Sequence, residues 1–102
     1  MTGRIPDAAR LLPWAGPEGK PCYVLGDGTG YLSRIADDIE SVQLDMATEL
    51  LGHAADMLDD RQVTPPQLRY VVARMAESLG DVHRIARSRG ERLAALRAGP
   101  ED

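Results

Sequence analysis

The sequence contains no phenylalanine, one tryptophan and three tyrosines among its 102 residues. A core without large aromatics must draw on Leu, Ile, Val, Met and Ala, and this selection favours helices over strands. Cys22 is the single cysteine, which excludes an internal disulfide and a thiolate zinc cluster. No apolar run is long enough to cross a bilayer, and the first residues do not resemble a signal peptide. We therefore expect one cytoplasmic domain with no membrane partner.

The first 30 residues are predicted to form an extended, Pro/Gly-rich N-terminal arm that ends in a glycine-rich turn. Four of the seven prolines fall within residues 1–22, and they exclude a long helix there. Residues 22–25 have the composition of a short strand, but no second strand is evident for them to pair with. Trp14 and Tyr23 are apolar anchors that either cover the end of the fold or contact a partner.

Two amphipathic helices are predicted after the arm, at about 31–61 and 65–98, followed by a short tail at 99–102. Thr64, Pro65 and Gln67 form a capping-box pattern at the start of the second helix. Apolar residues recur at steps of three and four along both helices. The expected core or dimer positions are Leu32, Ile35, Ile39, Val42, Met46, Leu50, Met57, Leu68, Val72, Met75, Leu79 and Val82.

The fold class expected from these features is all-α: a two-helix antiparallel hairpin with an N-terminal arm. A hairpin alone leaves much of each apolar face in water, because each helix has only one neighbour. Two hairpins that associate cover both faces, so we expect a homodimer that forms a four-helix bundle, or a hairpin that docks on another protein.

Charge differs between the two predicted helices, although the whole chain carries a formal charge of only −4. The first helix is acidic and the second is rich in arginine, which favours their antiparallel pairing. An alternative is that the second helix offers a basic surface to an acidic partner or to nucleic acid. The candidate partner-binding arginines are Arg84, Arg87, Arg89 and Arg92.

The glycine-rich turn, Gly26-Asp27-Gly28-Thr29-Gly30, resembles two ligand-binding loops and completes neither. A dinucleotide fingerprint would need a third glycine where Tyr31 stands. A calcium loop would need carboxylates where Leu25 and Ala36 stand. We interpret the loop as a bend in which Asp27 or Thr29 caps the first helix, with an anion at the helix start as the remaining ligand.

His53 is the candidate for chemistry in the first helix, where Glu49, His53 and Asp56 share one face. The spacing differs from the Glu-x-x-His pattern of di-metal bundles. We favour a partnered core histidine and keep a metal- or phosphate-handling bundle as an alternative. No serine stands in a nucleophile-elbow context and Cys22 has no nearby histidine, so we predict neither catalytic residues nor a cofactor.

Two segments, PWAGPEGKPCY at 13–23 and YLSRIADDIESVQL at 31–44, resemble small helical proteins of Streptomyces and related actinobacteria. The likeness extends over roughly residues 13–92. Genes for that group often lie near helix-turn-helix regulators and ATP-binding regulatory proteins. The resemblance implies a bacterial cytoplasm and a regulatory setting, and it assigns no residue a role. We therefore expect a non-enzymatic regulatory or adaptor protein that binds itself and an unidentified protein partner.

Overall fold

A computed structural model describes residues 9–26 and 30–98. Within these ranges the chain forms strand β1 (Arg10–Ala15), strand β2 (Pro21–Val24), helix α1 (Tyr31–Asp59) and helix α2 (Pro65–Ala98). The two predicted helices are therefore confirmed. Asp27 and Thr29, expected to cap α1, lie outside the described residues, and Gly30 occupies the N-cap position.

The arm contains a two-stranded antiparallel sheet, so the expectation that residues 22–25 have no pairing strand is wrong. Arg10 pairs with Val24 and Leu11 with Tyr23, and a register irregularity follows before Ala15. The strands are joined by a tight turn in which the Gly16 amide donates to the Lys20 carbonyl at 2.7 Å. A Cβ at position 16 would approach the Cys22 sulfur to 2.9 Å, so a larger residue there would require the Cys22 side chain to move.

The predicted capping box at the start of α2 is confirmed. The Thr64 amide donates to Gln67 Oε1 at 2.9 Å, and the Gln67 amide donates to Thr64 Oγ1 at 3.3 Å. At the other side of the turn, the Asp60 amide donates to the Met57 carbonyl and closes α1 two residues before the expected end. At both helix ends that flank the turn, backbone groups without a partner inside the helix thus form hydrogen bonds with nearby residues.

The helices run antiparallel, because Glu40 near the start of α1 lies beside Arg89 and Arg92 near the end of α2. The molecule is elongated, with extents of 63 × 28 × 21 Å. Its radius of gyration is 17.9 Å, whereas a compact chain of this length has about 13 Å. A fold this extended has little interior to bury apolar side chains.

The buried residues all lie in one half of the hairpin. We call residues 9–26, 30–43 and 83–98 the sheet half, because the sheet packs there, and residues 44–82 the turn half. Every fully buried residue that the structure describes belongs to the sheet half: Arg10, Leu11, Leu12, Pro13, Ser33, Ala36, Glu40, Ile85 and Ser88.

The expected core positions are only partly covered within one hairpin. Exposed positions are Leu32, Val42, Met46, Leu68, Val72 and Leu79, and half-buried positions are Ile35, Ile39, Leu50, Met57, Met75 and Val82. In a single protomer these six positions are not part of the core, and their place in a dimer interface stays a prediction. Four of them lie in the turn half, which the sheet does not cover, whereas Leu32 and Val42 lie in the sheet half and are exposed there too.

Candidate interaction site

A buried charge cluster fixes the sheet to the helices. Arg10 of β1 donates to the Ser33 carbonyl at 3.0 Å and to Asp37 Oδ1 at 2.7 Å. The same guanidinium lies 3.3 Å from Glu40 Oε2, and both the Arg10 and the Glu40 side chains are almost fully buried. This contact is electrostatic, since Glu40 Oε2 and Arg10 Nε lack hydrogen-bond partners among the described residues.

Glu40 also attracts two arginines from α2. Its Oε1 lies 3.6 Å from Arg89 and 4.0 Å from Arg92. Burial lowers the pKa of the Arg92 guanidinium, and the positive charge of Arg10 lowers it further, whereas Glu40 raises it. Because Glu40 contacts three arginines from two elements, it joins β1, α1 and α2 at one point.

The carbonyl groups of β1 provide a second set of attachments. The Ser88 hydroxyl donates to the Leu11 carbonyl at 2.9 Å, and this serine is buried. The Pro13 carbonyl accepts from Gln43 of α1 at 3.2 Å and from Arg84 of α2 at 3.3 Å. Pro13 has no amide hydrogen to donate, and its carbonyl instead ties both helices to the strand.

The candidate partner-binding residues all lie in the sheet half. Trp14 is half-buried on β1, and Tyr23 is exposed on β2. Arg87 donates to Glu91 at 3.0 Å and lies 3.5 Å from the Tyr23 hydroxyl. The hydrogen bond to Glu91 raises the pKa of the Arg87 guanidinium, and the charge interaction with Tyr23 adds to this increase.

Each of the four candidate arginines has a contact within the protein. Arg84 contacts Pro13 and Asp81, Arg87 contacts Glu91, and Arg89 and Arg92 approach Glu40. An arginine whose charge is already paired with a carboxylate of the same protein contributes less to binding nucleic-acid phosphates than an unpaired arginine does. The contacts give more support to structural roles than to a nucleic-acid surface.

An open apolar groove lies between the helices in the turn half. It encloses about 630 Å³. Its only polar residues are Thr48 and Ser78, and the Thr48 hydroxyl already donates to the Leu44 carbonyl at 3.1 Å. The groove is lined by Leu44, Ala47, Thr48, Leu50, Leu51, Val72, Met75, Ala76, Ser78, Leu79 and Val82.

The apolar side chains that line the groove are far more exposed than those of a closed hydrophobic core. Leu51 is 67% exposed, Val72 62% and Leu79 69%. Leu58 continues the Leu51 stripe one heptad further along α1, and Leu68 continues the Val72 stripe on α2; both are exposed. Contiguous apolar surface of this kind is typical of protein interaction sites.

His53 is exposed on α1, so it is not a core residue of a single hairpin, and a buried, partnered position for it depends on a second copy. Glu49 and Asp56 are exposed beside it. Over the described residues of one protomer, no group of three or more His, Cys, Asp or Glu side chains could hold a metal ion. The metal hypothesis thus depends on a second copy that completes the ligand set.

No helix in these ranges is long and apolar enough to span a membrane.

Sequence reasoning missed the residues that fix the sheet: Arg10, Glu40 and Ser88. Glu40 stands among acidic residues and looks like part of a solvated face, while Arg10 stands outside any recognised element. One signal was available in α2, where Ile85 and Ser88 lie three residues apart on a stripe adjacent to the expected core. A small serine on such a stripe allows a strand to approach closely.

In comparisons with known proteins, no family model, curated protein or solved structure matches the chain.

Proposed function

We propose that the protein is a non-enzymatic regulatory or adaptor protein that acts through protein–protein contacts, and that its first partner is a second copy of itself. The observation that carries the proposal is the groove in the turn half, a half in which no described residue is fully buried. Two hairpins that place their grooves together form a four-helix bundle.

The exposed area supports association. The chain exposes 7724 Å², whereas a compact monomer of its mass exposes about 5,700 Å². A standard interface takes about 800 Å² from each partner. The chain therefore exposes more surface than a compact monomer of its mass, and the groove residues make part of that surface apolar.

The polar groups of the sheet half support a binding role more than a catalytic one. The Ser88 hydroxyl is engaged with the Leu11 carbonyl, and Glu40 is surrounded by arginines. His53 and His83 are exposed on different helices. Ser88 and Glu40 are thus engaged in holding the sheet on the helices, which supports a binding role more than a catalytic one.

Sedimentation velocity of the intact protein at about 5–100 µM tests the proposal. We expect a dimer for the wild-type chain. Leu51→Glu combined with Leu79→Glu places four carboxylates in the dimer core, so we expect the dissociation constant to rise at least about 100-fold. Circular dichroism then confirms that the variant monomer retains its helices.

Leu25→Glu combined with Leu96→Glu is the matched control. Both leucines are exposed and both lie in the sheet half, away from the groove. This control is expected to remain a dimer. A wild-type chain that sediments as a monomer at 100 µM, or a groove variant that stays dimeric, would show that the proposal is wrong.

A further inference from the structure

We infer that the two hairpins associate antiparallel, so that the turn of each protomer points toward the sheet half of its partner. This inference rests on the proposed dimer and adds its orientation. Two hairpins can bring their grooves together around a two-fold axis in two ways. An axis perpendicular to the helices makes the two protomers antiparallel, and an axis along the helices makes them parallel.

The charges of the two halves are opposite. In the described ranges the sheet half has eight Arg and Lys side chains against five Asp and Glu, a net charge of +3. The turn half has three against seven, a net charge of −4. The hairpin is thus polarised along its 63 Å length.

The parallel arrangement places like charges together. Both turns would meet at one end, with Asp56, Asp59 and Asp60 of each protomer facing the same set in the other. Exposed charges interact within a Debye length of about 8 Å at physiological salt, and juxtaposed like charges oppose association. The antiparallel arrangement removes this repulsion.

The position of the groove determines what the turn meets. The groove extends from Leu44 to Leu51 on α1 and from Val72 to Val82 on α2, so its midpoint lies near Thr48 and Glu77. At 1.5 Å per residue, residue 60 lies about 18 Å beyond the midpoint. In an antiparallel pair it is level with positions 36 and 89 of the second copy, within the basic sheet half. Acidic and basic surfaces therefore lie side by side twice in the dimer.

Spin-label distance measurements on full-length protein test the orientation. In a Cys22→Ser background, Gln62→Cys places a label at the turn and Ser41→Cys places one on the exposed side of α1. In the antiparallel dimer the two Gln62→Cys labels are separated by about 42 Å along the axis, from helical rise alone. In the parallel dimer they lie at the same level.

Mixed dimers provide the reciprocal measurement. With Ser41→Cys in one protomer and Gln62→Cys in the other, the antiparallel dimer reduces the axial separation of the labels to about 11 Å, whereas the parallel dimer separates them by about 32 Å along the axis. A short distance between the two Gln62→Cys labels in a dimer overturns the inference alone. A monomeric protein overturns the proposed function as well.

Discussion

The sheet half and the turn half consist of the same two helices, yet only the sheet half is closed. In the sheet half, β1 supplies Leu11 and Leu12 to the interior, and both are buried. In the turn half no element formed by the described residues covers the two helices, and Leu51 and Leu79 stay exposed. The difference shows that two amphipathic helices need a third layer to make a core, and that here the third layer covers half their length.

The halves also differ in how they use charge. In the sheet half, Arg10 and Glu40 are buried and hold three elements together. In the turn half the ion pair of Arg74 with Glu77 is exposed within one helix at 2.8 Å. Removing one member of a buried ion pair strongly reduces the stability of the fold, whereas an exposed ion pair contributes little to that stability. Substitutions of acidic residues should therefore have very unequal effects in the two halves.

Glu40→Gln is the substitution with the largest expected effect on the sheet half. It removes the charge that Arg10, Arg89 and Arg92 share, and leaves the buried Arg10 with only Asp37 as its counter-ion. We expect the free energy of unfolding to fall by about 3 kcal/mol. Urea denaturation at a fixed protein concentration measures this change.

The matched control for that experiment is Glu49→Gln, because Glu49 is an exposed residue of the same helix in the turn half. Its expected effect is within about 0.5 kcal/mol. Equal urea midpoints for the two variants would contradict the buried role assigned to Glu40.

Ser88→Ala has a smaller expected effect and tests the attachment of the sheet. The substitution removes the donor to the Leu11 carbonyl from a buried position, so we expect a loss of about 1–2 kcal/mol. Trp14 lies on the same strand and gives a fluorescence signal for its displacement. Ser41→Ala, at an exposed site on α1, serves as the control and should unfold like wild type; a shared loss would show that the hydroxyl bond is not the cause.

Thr64→Ala has the smallest expected effect and concerns the turn half. It breaks the capping box with Gln67, and loss of an N-cap costs about 1 kcal/mol. Hydrogen exchange should speed up at the first amides of α2, while the amides near Ile85 stay protected. Thr64→Asp keeps an acceptor at the cap and should retain wild-type exchange; equal acceleration in both variants would rule out the capping explanation.

The helices could be predicted from sequence because their signals are local. Periodicity from Leu32 onwards and the Thr64–Gln67 pattern depend on neighbours within one or two turns. The sheet could not be predicted in the same way. β1 has the sequence RLLPWA, in which Pro13 argues against a strand and the apolar residues do not alternate. Its pairing is short, and its stability comes from contacts with helices far along the chain.

The interaction site was only partly predictable for a related reason. The groove residues Leu50, Val72, Met75, Leu79 and Val82 belong to the expected apolar stripe, so the sequence indicated that these positions need a partner. It did not indicate that the sheet would cover one half and leave the other open. That division depends on Arg10 and Glu40, whose burial has no local signature.

The bond between Ser88 and the Leu11 carbonyl joins residues separated by 77 positions, and this separation has a consequence for biosynthesis. Chains emerge N-terminus first at about 5–20 residues per second, so β1 waits on the order of 4–15 s for the helix segment that holds it. Until then the C-terminal part of α2 is not available for Leu11 and Leu12 to pack against. Residues of α2 thus complete the attachment of a strand synthesised long before them, and a truncated chain that ends before Ile85 leaves β1 without its main support on α2.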